Sequence, residues 1–315
     1  MSGSAYPPRR PGLQYLAEGG QSTQMLHGHG FDLPHFALFP LLDDPDAVGV
    51  LTQLYRAYLD AAVRHGFAAL VGGLDYRASP DWGHLLGLSE PQLADYQLRS
   101  IEFLRTVTGP YEGRLPDVLV SGLVGPRSDA YRGAGPASAD DAEEYHSVQI
   151  ATLRLAEVDL VQAVSISSVE EAVGIARAGA RAGLPVAVSF ILDEPGCLRS
   201  GHTVREAVEA VDEACVGERP TYYGINCVHP TELLGTIEPG PWRDRLRCLR
   251  PNAVPTDRLE LTGAIGLESG DPDELGDLVG RVAAELPGLD IWGGCCGTWD
   301  QHLDRIAGVV THGPS

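Results

Sequence analysis

The hydrophobic positions follow two patterns that alternate along the chain. Short, nearly continuous apolar runs lie at residues 14–17, 68–71, 117–121, 158–164, 185–190, 222–227, 258–264 and 290–293. Between them, apolar residues recur every three or four positions, as in a helix. Val50, Leu51, Leu54, Tyr58, Ala61 and Ala62 mark one such segment. Leu275, Leu278, Val279, Val282 and Leu286 mark another, with Pro272 just ahead of it. Ser167 or Ser168 is placed to cap a helix over 169–182, with Glu171 in its first turn. Strands that read as unbroken apolar runs are buried on both faces, as in parallel sheets. Eight strand–helix units therefore predict an α/β protein, a single (β/α)8 TIM barrel over residues 13–315. A doubly wound open sheet is the alternative, but no glycine-rich dinucleotide fingerprint opens the first unit. The stretch 131–139 reads as a long βα loop, and the polar, proline-rich residues 1–12 as a disordered tail.

Composition narrows the function. All 23 basic residues of the 315 are Arg, so a Schiff-base lysine, a PLP site and a Walker P-loop are excluded. The 43 acidic residues give a net charge of −20. That balance predicts neither a nucleic-acid partner nor an anionic membrane partner. No apolar run approaches the roughly 18 residues of a membrane span, and the start lacks the apolar stretch of a signal peptide. The expected location is cytoplasmic, where the six Cys are reduced, metal-bound or catalytic rather than paired. The sequence leaves a homo-oligomer open.

In a (β/α)8 barrel the chemistry sits at the C-terminal strand ends. The sixth strand ends in Gly224-Ile225-Asn226-Cys227 and the eighth in Gly293-Gly294-Cys295-Cys296-Gly297-Thr298. These strands are one strand apart in a barrel. Adjacent Cys295 and Cys296 would face opposite ways in a regular strand, so the flanking glycines must turn the backbone for both sulfurs to converge. Three thiolates meeting at one point suggest Zn²⁺, with a fourth position open. Three Cys leave a site of formal charge −1, a poor Lewis acid but suited to keeping a further thiol as an electron-rich thiolate. The implied chemistry is alkyl transfer to a small-molecule thiol. Cys197, Cys215 and Cys248 read as packing. His229 is a candidate fourth ligand. His27 and His29 read as surface residues, and Tyr76, Trp82, Trp292 and Trp299 as packing, with a sulfonium pocket as the alternative.

At these motifs the chain resembles the zinc-dependent homocysteine S-methyltransferase family. Glu18-Gly19-Gly20 stands where that family has Asp-Gly-Gly, and Arg250-Pro251-Asn252 where it has Tyr-Pro-Asn. The stretch 121–126 resembles its Gly-Pro loop, and Val188-Ser189-Phe190 the end of its fifth strand. The resemblance runs over about residues 13–310. It implies a (β/α)8 barrel, zinc on Cys227, Cys295 and Cys296, and methyl transfer to the zinc-bound thiolate of homocysteine, a step of methionine biosynthesis. Glu18, Gly19, Asp75, Ser165 and Asn226 are the implied substrate contacts. The chain ends soon after the second zinc motif, which favours a small sulfonium donor such as S-methylmethionine or S-adenosylmethionine over a cobalamin or folate donor. A cationic donor also suits a net-negative site.

Two positions depart from the family. It holds the amino group of homocysteine with acids at the ends of strands 1 and 4. Here the first acid is the longer Glu18, and the second position is Val164. Either Glu18 or Asp75 takes over, or the acceptor has no ammonium there. The alternatives are therefore methyl transfer to a different thiol, another zinc-thiolate C–S bond reaction on a sulfonium, and a non-catalytic zinc or sulfur-ligand binding protein.

Overall fold

Parallel strands covered on both faces need apolar residues at every position, and the strand sequences supply them: all strand residues except Val118 are buried. The structure, a computed structural model, describes residues 6–130, 138–259 and 268–312. Strands β1 (Tyr15–Ala17), β2 (Ala68–Gly72), β3 (Val118–Val124), β4 (Leu160–Ile166), β5 (Val186–Phe190), β6 (Tyr222–Asn226), β7 (Leu246–Arg250) and β8 (Ile291–Trp292) pair in sequence order. Every pairing is parallel, and β8 returns to β1 to close a barrel. The single (β/α)8 barrel expected from the sequence is thus the fold.

The helices between strands form where the periodicity and caps place them. Pro45–His65 starts at Asp44, whose carboxylate accepts from the N–H groups of Asp46 and Ala47, and stops at Gly66 with φ 72°. Val169–Ala182 begins at Ser168, whose hydroxyl accepts from Glu171 N. Pro272–Glu285 is capped by Asp271. Among the described residues no helix is long and apolar enough to cross a membrane. Tyr15, Leu70, Leu160, Tyr222 and Cys248 fill the barrel interior, and a larger apolar layer lies between strands and helices. Burial pushes the thiol of Cys248 up to about 12 and that of Cys215 up to about 11, so both are protonated packing groups.

Two expectations are corrected. The seventh strand is Leu246–Arg250, not residues 258–264. Residue 258 ends a 3-10 turn, Thr256–Arg258, and residues 260–267 lie outside those described. The true strand hides from a hydrophobic pattern because it carries Arg247 and Arg250, which are buried beside paired acids. Arg247 makes two hydrogen bonds to Asp290, at 2.8 and 2.7 Å, and a third at 2.7 Å to the carbonyl of Pro7. That last bond also corrects the tail. Tyr6 packs on the barrel's interior cluster and Pro7 is buried, while residues 9–12 are exposed and residues 1–5 lie outside those described. Most of the predicted loop at 131–139 lies outside them as well, since residues 131–137 are not described.

The Arg247–Asp290 pair generates a stability prediction. Arg247→Met leaves Asp290 uncompensated at the barrel floor and should cost about 3–5 kcal/mol in urea unfolding, whereas Arg247→Met with Asp290→Leu should recover most of it. A double variant as unstable as the single one would contradict the pairing.

Candidate metal centre

The end of β7 acts as a template for both cysteine segments. The Arg250 carbonyl accepts from Cys227 N at 3.0 Å, and the Pro251 carbonyl accepts from Cys295 N at 2.7 Å. Ala253 N donates to the Cys296 carbonyl at 2.9 Å. After Cys295 the chain turns sharply, with Thr298 donating to the Cys295 carbonyl through both its N–H and its hydroxyl. That turn brings two adjacent cysteines to one point. Cys227 itself takes φ 56°, a left-handed conformation that L-residues adopt at a cost of about 1–2 kcal/mol. The three sulfurs lie within 4.8 Å of one another. Gly20 must be glycine here, because a Cβ would stand 2.4 Å from the Cys295 carbonyl oxygen.

Asn226 locks this arrangement to β4. Its Oδ1 accepts from Ser165 N at 2.9 Å, and its Nδ2 donates to Ser165 Oγ at 2.8 Å and to Cys227 Sγ at 3.1 Å. Ser165 is also left-handed, at φ 60°. An N–H donated to sulfur favours the thiolate over the thiol. Ala130, Ile191, Val254 and Leu259 form an apolar shell around the cluster. Three converging sulfurs in such a shell fit zinc, a borderline-soft ion that prefers thiolate ligands. Cys227 and Cys295 are joined by a disulfide in this structure, so it is the reduced protein that can take the metal.

The cluster forms one wall of a cavity of about 230 Å3. Glu18, Gly19, Ser165 and Asn226, four of the five expected substrate contacts, line it together with Tyr76, Val164 and Arg250. Glu18 does not offer a free carboxylate. Its Oε1 pairs with Arg250 Nη2 at 2.5 Å, and its Oε2 accepts from Gly72 N at 2.7 Å. Arg250 also donates from Nε to the Gly294 carbonyl at 3.3 Å, while its buried Nη1 has no partner among the described residues. Arg250 is the site residue that sequence reasoning passed over. An Arg where the resembling family carries Tyr, beside an acid at the first strand end, was the available signal.

Asp75 does not line the cavity. It is fully buried, with Oδ1 accepting from Leu123 N at 3.2 Å, and burial, followed by the charge of Glu18, pushes its carboxyl up to about 7. His229 is not among the residues whose ligand atoms meet at the cluster; its Nδ1 lies 2.7 Å from Thr231 Oγ1 at the start of the helix Pro230–Leu233. Of the four aromatic residues, only Tyr76 lines the cavity. The face of Trp82 is covered by the Arg77 guanidinium, 4.0 Å from its centroid, Trp292 is in the barrel wall, and Trp299 packs on Gly28.

The sequence profile of the homocysteine S-methyltransferase family matches residues 15–310 of this chain. A methionine synthase of Mycobacterium leprae (strain TN) is 31% identical over 146 residues, which cover 44% of this chain and 11% of that protein. The chain therefore matches about a tenth of that relative's length. The homocysteine methyltransferase MmuM of Escherichia coli has the same fold. Its oxidized form superposes with a TM-score of 0.73 at 20% identity, covering 96% of this chain and 98% of that one. Its metallated form does so with a TM-score of 0.70 at 21% identity, covering 94% and 96%.

Asp75 sets a pH dependence. Its carboxyl rises from 3.8 to about 7 on folding, so between those values the native state binds the extra proton and stability falls as pH rises. Asp75→Asn keeps an acceptor for Leu123 N and cannot ionise. It should be more stable than wild type at pH 8 by roughly 1–4 kcal/mol, with the difference vanishing near pH 4. Urea unfolding at the two pH values measures it, and a pH-independent difference would rule the buried carboxyl out as the cause.

Proposed function

The chain belongs to the homocysteine S-methyltransferase family, and from that premise we propose that it is a zinc-dependent S-methyltransferase. It moves a methyl group from a small sulfonium, S-methylmethionine or S-adenosylmethionine, to a small thiol. Homocysteine is the acceptor the family name supplies. The observation that carries the reading is the convergence of Cys227, Cys295 and Cys296 on one wall of the cavity. Zinc bound by these three cysteines would hold the acceptor sulfur as a thiolate and leave it nucleophilic at neutral pH.

The chain's own residues supply the rest. Asn226 steadies the Cys227 sulfur with an N–H and fixes the strand end that carries it. The shell of Ala130, Ile191, Val254 and Leu259 shields Cys227 and Cys296 from water, which strengthens electrostatic contacts at the site. Tyr76 shares a hydrogen bond with Ser165 at the cavity wall, and the Arg77 guanidinium lies 4.8 Å from its ring centroid. In the reaction a carbon–sulfur bond forms to the acceptor as the donor's breaks. The donor sulfur keeps the electron pair and becomes a thioether, and the acceptor's proton has already been released. A cationic donor becomes neutral in this step, which suits a site of net negative charge. A second reading, a thiol other than homocysteine, is favoured by Val164 and by the Glu18–Arg250 pair, which together leave no free carboxylate where the family holds the amino group.

Elemental analysis of reduced wild-type protein should find one zinc per chain, and Cys296→Ser should lose it. Asn226→Ala keeps all three ligands and should weaken zinc binding about 10- to 100-fold in a chelator competition. With zinc loaded, mass spectrometry should find the methylated thiol and the demethylated donor in equal amounts. Zinc content unaffected by Cys296→Ser, or donor consumed without a methylated thiol, would refute the reading.

A further inference from the structure

At its Glu18 end the cavity offers a cation, Arg250, where an ammonium-binding site would need an anion, and the other carboxylate of its lining, Asp129, lies 4.0 Å from Arg77 Nη2. Glu18 is 2% exposed and has both oxygens engaged, one by Arg250 Nη2 and one by Gly72 N. Val164 brings an apolar side chain to the same cavity. Arg250 is 7% exposed, and its guanidinium is fixed on two of three nitrogens: Nη2 to Glu18 and Nε to the Gly294 carbonyl. The third, Nη1, is buried and unpartnered among the described residues. A guanidinium held in this way is preorganised for one more charged hydrogen bond. It lines the same cavity as the three cysteines, and its Nε bond goes to the residue before Cys295.

We propose that the Arg250 guanidinium binds a carboxylate of the acceptor, and that the preferred acceptor is a thiol carrying a carboxylate and no neighbouring ammonium. This rests on the methyl-transfer reading and narrows its substrate. A carboxylate completes the hydrogen bonding of Arg250. An ammonium in the same place would be desolvated next to a fixed guanidinium, with Glu18 already paired and Asp129, the other carboxylate lining the cavity, facing Arg77 Nη2 at 4.0 Å. The preference is a difference of affinities, so it requires both the attraction and the penalty.

The test uses three thiols on the reduced, zinc-loaded protein: homocysteine, its analogue without the amino group (mercaptobutanoate), and its analogue without the carboxylate (mercaptopropylamine). Calorimetry gives the affinity of each, and mass spectrometry gives methylation with S-methylmethionine or S-adenosylmethionine. Mercaptobutanoate should bind and react better than mercaptopropylamine by at least about 10- to 150-fold, the worth of one charged hydrogen bond, and homocysteine, which keeps the carboxylate but carries the ammonium, should fall between the two. Arg250→Tyr frees Glu18 to act as a counter-charge and should reverse the order of homocysteine and mercaptobutanoate. A defect in folding would lower both together. Val164→Glu leaves the Arg250–Glu18 pair in place and should move the preference the same way. If wild type prefers homocysteine, or treats the three alike, the inference fails while the methyltransferase reading stands. If none of the three binds or is methylated, both fail.

Discussion

One buried ion pair holds the reactive end of this barrel together. Arg250 on β7 reaches past β8 to Glu18 at the end of β1, with side-chain exposures of 8% and 3%. Glu18 takes the N–H of Gly72 from β2, and the backbone of Arg250 takes the N–H of Cys227 from β6. With Arg250 Nε on the Gly294 carbonyl after β8, five strand ends are therefore tied to this one residue pair. Such a pair adds little net stability compared with well-packed apolar residues, while removing one partner is costly. Its consequence lies in arrangement. It fixes the template on which both cysteine segments lie, and it decides which charge the cavity presents.

Much of this was legible in the sequence. Seven of the eight strands fell on apolar runs, and the convergence of Cys227, Cys295 and Cys296 followed from glycines around Cys295 and Cys296 in a closed barrel. What stayed hidden has a common cause: charge buried by pairing. The seventh strand reads Leu-Arg-Cys-Leu-Arg, and a hydrophobic pattern passes over it because the partners that make Arg247 and Arg250 tolerable, Asp290 and Glu18, lie far away in the chain. For the same reason Glu18 looked like a free acid. Asp75 looked like a cavity residue because it follows the end of β2, but its carboxyl turns inward to Leu123 N.

The structure divides the site into two parts. One is the sulfur cluster with Asn226 and Ser165, where two left-handed residues, Cys227 and Ser165, face each other across β6 and β4. Strain of this kind persists only where the surroundings over-determine it. Here the surroundings are the three hydrogen bonds from Asn226 and the backbone contacts to β7. The other part is the cavity beside the cluster, where the charges differ from those the family resemblance implies. The three converging sulfurs fit the family chemistry, and the cavity beside them is lined by the Arg250–Glu18 pair.

X-ray absorption at the zinc edge of the reduced, zinc-loaded protein tests the central claim most directly, because it counts sulfur ligands. Three sulfurs at about 2.3 Å are predicted in the absence of thiol, rising to four when the acceptor is added. Fewer than three sulfurs, or a count unchanged by a thiol that the protein methylates, would contradict it.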